Sequence, residues 1–573
     1  MITRPTIRQS PSLLADLSVV ILLAAVFYGV VFVARRWEAP LQSQVVIDLS
    51  IRALPAYTLL SLLRGFLAYG LSLAVTLLFG YVATRSPWAE RMMIPLLDVL
   101  QSIPVLGFLP GVVLALVALF PSTNAGLELA CIIMICTGQV WNMAFSFYHS
   151  LRTVPAELRE ASMVYQFNWW QRFLRVELPA ASVGLAWNSM MAMAGGWFFL
   201  MVCEAFTLGS SDFRLPGLGA YMSVAVARGD VTAIFSGLAA MVIMIVLVDT
   251  VIWRPVLVWT QKFRLTEGVA ANGQGFTIFR RLKDSWLIQT AMARVAHPIS
   301  EWLSSNATSG GEVSSVSLPA TARLERWVRR CGTVLIWAGG VAMLWAAWRL
   351  VQIMSQVSTA QWVEVLTSTL WTFVRVTAAV VLGSLWTVPV GVWIGRSERW
   401  RSRLQPLVQV AASFPAPMLY PLIVVVFHRL GWSLSVGAVL LLLLGTQWYL
   451  LFNVIAGASA IPEELQEVSQ AYHFTPRQRW RVVWWPAIFP YVVTGWVTAA
   501  GGAWNASIVA EYVSVGHEVF IAPGLGSLIS VAASRGSYDL LGAAVLTMAV
   551  AVVLINRLFW KPLYRLAETR YAA

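Results

Sequence analysis

The chain has 573 residues, of which 58% are hydrophobic and 12% charged, and its mean hydropathy is +0.71. This composition excludes a soluble chain with an ordinary core and predicts an integral membrane protein. The 40 basic residues outnumber the 27 acidic residues, which in a membrane protein indicates basic cytoplasmic loops rather than a nucleic-acid site.

Apolar runs along the chain predict about twelve membrane spans, about six in each half. The first run has no small-residue cleavage pattern after it, so we interpret it as a retained span rather than a signal peptide. The predicted spans of the first half are Leu17–Val33, Leu60–Thr84, Met92–Phe120, Glu128–Tyr148, Ala181–Phe206 and Ala233–Trp253. Those of the second half are Thr333–Trp348, Thr372–Ile394, Leu407–Phe427, Ser433–Ile455, Tyr491–Val513 and Leu540–Leu558.

The second half of the chain repeats the first. Matching positions differ by 311 through the second and third spans and by 307 from the fourth span onward. The first half therefore has four extra residues between these spans, in the turn Pro121–Gly126. Matched pairs include Arg64/Arg375, Gly80/Gly391, Arg85/Arg396, Pro110/Pro421, Gly138/Gly445, Trp141/Trp448 and Glu204/Glu511.

A polar, basic segment with a run rich in serine and glycine separates the two halves, and we interpret it as a linker. The predicted domains are residues 1–258 and residues 331–573, joined by the linker at 259–330. Because each domain has an even number of spans, both termini and the linker are expected on the same side of the membrane. The excess of basic residues in these loops predicts that this side is the cytoplasm.

Prolines interrupt the third predicted span of each half, in the sequences SIPVLGFLP and SFPAPMLYP. A proline inside a membrane helix frees backbone groups, which are tolerated only where protein or a water-filled cavity surrounds them. Matched breaks in two halves predict a transport path, whereas the alternative is a kink that serves helix packing. The predicted path residues are Ser102, Pro104, Ser413, Pro415, Glu204 and Glu511. The two glutamates either line the outer gate or cap a helix end.

Two arginines bracket the second predicted span of each half. Arg64 and Arg85 are 21 positions apart, about 31 Å at helical rise, and Arg375 and Arg396 repeat this spacing. The distance matches a hydrocarbon core of about 30 Å. We therefore expect Arg64 and Arg375 to reach the membrane interface, with attraction of an anion as the alternative.

Two long polar stretches, Val154–Pro179 and Ile461–Pro486, align with each other without a gap. Each is predicted to form two short helices joined by a tight turn, at Tyr165–Phe167 in the first copy and at Tyr472–Phe474 in the second. The stretches interrupt otherwise apolar sequence, so we interpret them as loops outside the membrane.

The ends of these short helices carry recognisable signals. Pro155 suits the first turn of the first helix, where its missing N–H costs nothing. Asn168 is the predicted N-cap of the second helix, because Gln171 follows three residues later and completes a capping box. The matching residues of the second copy are Pro462, Thr475 and Gln478.

These stretches resemble the EAA loop of permease subunits in binding-protein-dependent ABC importers, whose pattern is Glu-Ala-Ala, three residues, Gly, nine residues, Ile, one residue, Leu-Pro. The spacing is met in both copies, but Gln166 and His473 stand at the glycine position. The other matching residues are Glu160-Ala161-Ser162, Val176 and Leu178-Pro179 in one copy, and Glu467-Val468-Ser469, Val483 and Trp485-Pro486 in the other.

In that family the loop is the cytoplasmic coupling helix, which docks into a groove on the ATPase subunit. The resemblance therefore implies that the loops couple this chain to two ATPase subunits. The residues it assigns to coupling are Glu160, Ala161, Ser162, Phe167, Glu467, Val468, Ser469 and Phe474.

The resemblance covers nearly the whole chain outside the linker. It implies an all-α integral membrane fold with two homologous six-helix type I ABC importer permease domains in one chain. The stretches Arg64–Ser86 and Arg375–Ser397 look like the nitrate, sulfonate, taurine and bicarbonate branch. The implied function is import of a small solute, such as one of these anions, across a bacterial inner membrane by ATP-driven alternating access. A fused permease of the ferric-iron or thiamine type is the alternative within this class.

The sequence has no Walker motif, so ATP and Mg²⁺ are expected on separate ATPase subunits, with no catalytic residue or cofactor in this chain. The four cysteines lack metal-like spacing, and no metal site is predicted. A periplasmic or lipid-anchored binding protein is the expected source of substrate, and no nucleic acid partner is expected. A membrane-embedded enzyme or a channel is the alternative of a different class, but neither needs two docking loops.

Overall fold

The computed structural model describes residues 46–85, 87–102, 104–208, 211–263, 354–515 and 518–571, together with Val341, Trp345, Trp348, Arg349, Val351 and Gln352. The predicted span Leu17–Val33, most of the span Thr333–Trp348, Cys331 and residues 264–330 of the linker lie outside the described residues. What the sequence indicates for these segments, including the side of the N-terminus, stays a prediction.

The described part of the first half is a series of helices with one short hairpin. Its elements are α1 (Leu54–Arg85), α2 (Pro87–Ser102), α3 (Leu109–Leu119), α4 (Ala125–Arg152), α5 (Ala156–Val164), α6 (Trp169–Arg172), α7 (Leu178–Glu204), β1 (Thr207–Leu208), β2 (Ser211–Asp212), α8 (Leu218–Arg228), α9 (Val231–Val248) and α10 (Arg254–Thr260).

The second half repeats this order. Its elements are α11 (Thr359–Gly395), α12 (Glu398–Ser413), α13 (Tyr420–Arg429), α14 (Leu434–Ser459), α15 (Glu463–Ala471), α16 (Pro476–Gln478), α17 (Trp485–Ala510), β3 (Tyr512–Val515), β4 (Glu518–Ile521), α18 (Leu525–Arg535), α19 (Tyr538–Ile555) and α20 (Lys561–Tyr571). Tighter 3₁₀ turns lie at Val105–Phe108 and Ala416–Met418, and wider π-helical segments lie at Phe173–Glu177, Asp249–Trp253, Arg479–Trp484 and Asn556–Trp560.

Eight helical stretches in the described residues are long and apolar enough to cross a membrane. They correspond to the predicted second, fourth, fifth and sixth spans of each half, and most extend beyond the predicted bounds. The third span of each half is divided, α2 from α3 and α12 from α13, by a 3₁₀ turn that follows a proline. The predicted interruption is therefore confirmed in both halves, and the all-α membrane class is confirmed as well.

The described residues fall into two compact units, one with residues 144–188, 250–263 and the described residues from 341 to 356, and the other with residues 46–143, 189–249 and 357–571. In the larger unit, α11, α14 and α17 pack around an apolar core. Gly391 lets α11 approach α14 closely, since a Cβ there would lie 2.7 Å from the Val454 side chain. The buried core residues are Val388, Val392, Val454, Ala458, Ile461, Ile488 and Val492.

In the smaller unit, the end of α4 packs against the beginning of α7. The side-chain amide of Asn188 donates to the Ser146 hydroxyl at 3.0 Å. A Cβ added to Gly184 would lie 3.0 Å from the Ser150 hydroxyl, so small residues allow this close helix contact. The packing positions the first EAA-like loop, which connects the two helices.

A short antiparallel hairpin follows each of the long helices α7 and α17. In the second half, β3 pairs with β4 from Tyr512↔Ile521 to Val515↔Glu518. The first hairpin is shorter, with Thr207↔Asp212 and Leu208↔Ser211 as partners. Each hairpin leads through a Pro-Gly-Leu-Gly sequence into α8 or α18. The glycines of this sequence are Gly217 and Gly219 in the first half and Gly524 and Gly526 in the second.

Candidate coupling and translocation sites

Each EAA-like loop consists of a short helix, a tight turn and a second helix, as predicted. The first helix is α5 in one loop and α15 in the other. It begins one residue after Pro155 or Pro462, which are N-caps with extended backbone at ψ 144° and 142°. The prediction that both prolines lie in the first helical turn was therefore wrong by one position. The fixed φ of proline suits an N-cap as well as the first turn.

The predicted capping boxes are present at the start of the second helix. In the first loop, Asn168 Oδ1 accepts from the Gln171 N–H at 2.7 Å, and Gln171 Oε1 accepts from the Asn168 N–H at 3.1 Å. Thr475 and Gln478 form the same reciprocal pair in the second loop, at 3.4 and 2.8 Å. These bonds satisfy backbone donors that a helix start leaves open.

The turn between the two helices has left-handed backbone at Gln166, with φ 51°, and at His473, with φ 50°. Among the described residues these are the only non-glycine residues with positive φ. In the first loop the Phe167 N–H donates to the Ser162 carbonyl and the Gln166 N–H to the Met163 carbonyl, both at 2.9 Å. This is the Schellman pattern, in which glycine is the usual residue. Both loops therefore keep the turn although a side chain there costs about 1–2 kcal/mol.

The coupling residues predicted from the EAA pattern divide into outward and inward positions. Glu160 and Glu467 lie on exposed surfaces of α5 and α15. Ser162 and Ser469 face inward and are 1% and 3% exposed. The Ser162 hydroxyl donates to the Arg159 carbonyl at 2.6 Å, which fixes it within its own helix. The serines thus hold the loop, while the carboxylates remain available to a partner.

Apolar side chains surround the exposed carboxylates. Ala161, Phe167 and Phe474 are half-buried, and Val468 is 48% exposed. Both loops present further exposed apolar residues near the turn, namely Met163, Val164, Tyr165, Leu465 and Tyr472. An exposed apolar knob with a carboxylate beside it is typical of a surface that contacts another protein.

A second candidate site is a buried ion-pair cluster in the first half. Arg64 donates to the two carboxylate oxygens of Glu128 at 2.6 and 2.7 Å, and to Glu204 Oε1 at 2.7 Å. Ser61 also donates to Glu204 Oε1, at 2.8 Å. Arg64 is 3% exposed and Glu204 is 0% exposed, so water does not screen these contacts.

The N-terminus of α8 completes this cluster. The Gly219 N–H donates to Glu204 Oε2 at 2.8 Å, and the Leu218 N–H donates to the Ser61 hydroxyl at 2.9 Å. Unpaired N–H groups at a helix start favour a negative charge. Glu204 therefore joins the end of α7, the arginine of α1 and the beginning of α8.

Glycines permit this close approach. A Cβ added to Gly217 would overlap the Glu204 carboxylate, and a Cβ on Gly219 would lie 2.6 Å from the Met201 carbonyl oxygen. Arg64 also donates to the carbonyl of Pro216, at 2.9 Å. The Pro-Gly-Leu-Gly sequence thus wraps around the ion pair, and side chains at its two glycines would separate the partners.

The second half contains the same arrangement with one carboxylate fewer. Arg375 donates to Glu511 Oε1 at 2.9 Å, and Thr372 donates to the same oxygen at 2.8 Å. A backbone N–H at the start of α18 also donates to this carboxylate, at 2.9 Å. Where the first half has Glu128, the second has Ser435, whose backbone carbonyl accepts from Arg375 Nε at 3.3 Å. Counted by formal charge, the first cluster is negative and the second is neutral.

The prediction that Arg64 and Arg375 reach the membrane interface was wrong, because buried glutamates hold both side chains inside the protein. Glu204 and Glu511 each cap the following helix, while a role for them at an outer gate stays a prediction. Sequence reasoning missed three partners in these clusters, Ser61, Glu128 and Thr372. A signal existed for the two hydroxyl residues, because each stands three positions before its arginine.

Four of the six predicted path residues lie at the two helix breaks. Pro104 and Pro415 are buried and open the 3₁₀ turns after α2 and α12. Ser413 is buried near the second break, and its hydroxyl donates to the Gln409 carbonyl at 2.9 Å. Ser102 is the last residue of α2, and its side chain lies outside the described residues.

Two cavities lie on either side of the first break. Val105 lines a cavity of about 170 Å³, and Leu106 lines another of about 300 Å³. The Leu106 N–H donates across to Asn505 Oδ1 of α17 at 3.4 Å, so a side chain of the second half meets the interrupted backbone of the first. None of the predicted path residues is among the described residues that line these two cavities, and their role in transport stays a prediction.

Two ranges of the chain match a known protein family. Residues 72–253 and 387–560 each match the family described as binding-protein-dependent transport system inner membrane component, and together they cover more than half of the chain. The chain belongs to this family. Each matched range contains one EAA-like loop, so this permease carries two domains of the family in a single chain.

Individual relatives align with part of the permease. It is 25% identical over 207 residues to the putative aliphatic sulfonates transport permease protein SsuC of Bacillus subtilis, covering 36% of this chain and 70% of the relative. It is 24% identical over 184 residues to the nitrate import permease protein NrtB of Leptolyngbya laminosa, covering 32% and 62%. The taurine transport system permease protein TauC of Escherichia coli is 22% identical over 197 residues. The permease thus spans less than two thirds of the nitrate permease's length.

The steric cost at the left-handed residues of the EAA-like loops can be tested by substitution with glycine. Replacing Gln166 or His473 with glycine removes the steric cost of the Cβ at positive φ. We expect backbone amides in each turn to exchange with deuterium about fivefold more slowly, because local opening becomes harder by about 1 kcal/mol. Hydrogen exchange by mass spectrometry on the purified permease measures this. Gln166→Ala is the matched control, since alanine retains the Cβ, and equal exchange in the glycine and alanine variants would contradict the prediction.

The ion-pair clusters generate a second prediction. Arg64→Met leaves two buried carboxylates without a counter-charge, whereas Arg375→Met leaves one. Breaking a buried pair costs about 3–5 kcal/mol, so both variants should melt at lower temperature than the parent, with the larger loss for Arg64→Met. Thermal stability of the detergent-solubilised permease checks this order.

The exposed Arg228 at the end of α8 provides the control for this series. Arg228→Met removes the same charge and the same length of side chain without exposing a buried carboxylate. A melting temperature for Arg64→Met that equals that of Arg228→Met would show that the buried cluster does not stabilise the fold.

Proposed function

We propose that this permease is the membrane-spanning part of a type I ABC importer that moves a small oxyanion, or a solute bearing an oxyanion group, into the cytoplasm. The paired EAA-like loops carry the proposal. Each presents an exposed glutamate and exposed apolar side chains on a short helix whose ends are fixed by hydrogen bonds. Relatives named for aliphatic sulfonates, nitrate, taurine and bicarbonate support the choice of substrate class.

In this proposal α5 and α15 dock on two ATPase subunits, which bind ATP and Mg²⁺. The apolar residues near each turn enter a groove on the ATPase, and Glu160 and Glu467 pair with basic residues that line the groove. Exposed apolar patches of this kind favour burial against a partner, and a charged pair at the rim adds specificity. The ATPase subunits supply the energy, and this chain supplies the path.

Each loop continues without interruption into a long helix, which suits it to transmit motion. The helical stretches Trp169–Glu204 and Pro476–Ala510 join the coupling turn to the ion-pair cluster at the other end. A π-helical segment widens the helix near its start in both halves, a feature that is frequent at functional sites. When the ATPases close, each loop moves with its helix, and the clusters prevent the far end from separating.

Substrate delivery is proposed at the end of the permease that carries the hairpins β1–β2 and β3–β4. A periplasmic or lipid-anchored binding protein releases its solute there, at the opposite ends of α7 and α17 from the coupling loops. Alternation between two conformations then opens the path first to that side and later to the cytoplasm. The host membrane in this proposal is a bacterial inner membrane.

The double charge reversal Glu160→Lys with Glu467→Lys tests the coupling role. Losing a charged partner at an interface costs about 2–5 kcal/mol, so ATPase subunits should no longer co-purify and uptake should stop. The permease itself should insert and remain stable, because both glutamates are exposed. Co-purification and uptake into proteoliposomes measure the two effects.

Glu364→Lys is the control for this experiment. It reverses an exposed charge near the beginning of α11. In the proposed topology this end of α11 lies away from the cytoplasmic side, where the EAA-like loops are placed. We expect normal ATPase binding and uptake in this variant. Normal ATPase binding in the double variant as well would contradict the proposed docking of the EAA-like loops on ATPase subunits. The proposal that this chain is part of an importer would then lose its main support.

The proposed orientation predicts the side of the membrane on which a reporter appears. A reporter placed after Ala270 or at Ala573 should report cytoplasm, because each permease domain crosses the membrane an even number of times. A reporter after Ser122, in the turn between the third and fourth spans, should report the periplasm. Alkaline phosphatase and fluorescent protein fusions distinguish the two sides, and a periplasmic signal at Ala573 would contradict this topology.

A further inference from the structure

The cavity of about 170 Å³ is built from both halves of the chain. Its walls are the end of α2, the middle of α4 and part of α7 from the first half, and α14, α17, the end of α19 and the π-helical segment Asn556–Trp560 from the second. No charged side chain is among the described residues that line it. The amide and threonine side chains in its lining are Gln101, Thr137, Asn142, Thr498, Asn505 and Asn556.

The internal repeat reveals that this polarity is not a general feature of the fold. Four of the six polar positions are occupied by apolar residues in the other half. The replacements are Ala412 for Gln101, Leu444 for Thr137, Met191 for Thr498 and Phe198 for Asn505. Helix packing alone accepts apolar residues at these places, since the matching half has them. The polar residues that line the cavity therefore indicate a role other than helix packing, one that the matching positions of the repeat do not share.

A backbone feature differs between the halves in the same way. The Leu106 N–H donates to Asn505 Oδ1 beside the cavity. At the position that matches Leu106 stands Pro417, which has no N–H, and at the position that matches Asn505 stands Phe198. This hydrogen bond joins the two halves and keeps the Asn505 amide in place at the cavity wall. Its symmetric counterpart cannot form, because both the donor and the acceptor are missing at the matching positions.

Trp141 adds a donor to this lining. Its indole Nε1 is buried and has no hydrogen-bond partner among the described residues. A buried donor left unpaired is unfavourable, so a ligand that brings an oxygen acceptor to the indole gains affinity. The matching Trp448 lines neither this cavity nor the one of about 300 Å³, and among the described residues its indole is not a buried donor without a partner.

We propose that this cavity is a transient binding site for the transported oxyanion, held by the Trp141 indole and the amides of Asn142 and Asn505. The inference rests on the proposed import of an oxyanion and adds the place and the chemistry of the site. No carboxylate is among the described residues that line the cavity, so no negative charge there repels an anion. Uncharged donors bind an anion without trapping it, and a transport site must release its ligand as well as accept it.

Trp141→Phe tests the site, because it removes the indole donor and retains an aromatic ring. The complete transporter, with its ATPases and binding protein, is reconstituted in proteoliposomes and offered labelled nitrate, bicarbonate, taurine or methanesulfonate. We expect ions taken up per ATP hydrolysed to fall about tenfold, the range for a hydrogen bond to a charged group. ATPase activity stimulated by the binding protein should stay within about twofold of the parent. Trp448→Phe, the matched variant of the other half, should leave both quantities unchanged.

Gly501→Leu tests the same site by filling it. Gly501 lines the cavity inside α17, and a Cβ there meets no atom within 4 Å, so the added side chain enters open space. Gly70→Leu is the control, because Gly70 also has open space around it but lies on the exposed side of α1. Uptake per ATP should fall in Gly501→Leu and remain normal in Gly70→Leu.

The outcomes separate this inference from the function on which it rests. If the parent transporter takes up none of the four solutes, the proposed substrate class is wrong and the site falls with it. If the parent takes up an anion but Trp141→Phe equals Trp448→Phe and Gly501→Leu equals Gly70→Leu, import stands and the site is overturned. A parallel loss of uptake and ATPase activity in both cavity variants would also overturn it, because that result indicates a structural role.

Discussion

A buried arginine paired with a buried glutamate holds each half of this permease together at one end. The pair joins the long helix that follows the coupling loop to α1 or α11 and to the beginning of the next short helix. Taking such charges out of water is costly, and the cost is recovered only when every oxygen and N–H finds a partner. Glycines on both sides of the leucine let the backbone reach the carboxylate, which is why the Pro-Gly-Leu-Gly sequence occurs in both halves. The clusters therefore fix the ends of α7 and α17 that lie away from the EAA-like loops.

Local features of the loops were predictable from the sequence, and long-range contacts were not. The capping boxes at Asn168 and Thr475 depend on residues three positions apart, so the sequence contains both partners of each hydrogen bond. The helix breaks follow from proline, which removes an N–H wherever it stands. By contrast, Arg64 and Glu204 are 140 positions apart, and only the folded chain brings them together. The repeat had matched both residues with counterparts, but it carried no information that they contact each other.

The turns of the EAA-like loops keep a backbone conformation that favours glycine although neither turn has glycine there. Glycine is the ordinary choice at the left-handed position, yet Gln166 and His473 adopt φ angles near 50°. Two backbone hydrogen bonds on each turn and a capping box immediately after it over-determine the local path. The shape of the loop is therefore retained at a cost of about 1–2 kcal/mol per turn. That a costly conformation persists in both copies is the behaviour expected where the shape itself meets a partner.

The two halves are alike in their EAA-like loops and in the arginine–glutamate pairs, and they differ around the cavity beside Leu106. The loops and ion pairs face equivalent tasks, and their residues match closely at offsets of 307 and 311. Four polar residues that line the cavity beside the first helix break have apolar counterparts in the other half, and the first cluster carries a carboxylate that the second lacks. In a permease assembled from two identical chains, every substitution appears on both sides of the path. Because both halves of this permease lie in one chain, Asn505 can face the interrupted backbone at Leu106 while its counterpart remains phenylalanine. Fusion of two permease domains in one chain therefore allows matching positions of a twofold architecture to carry different residues.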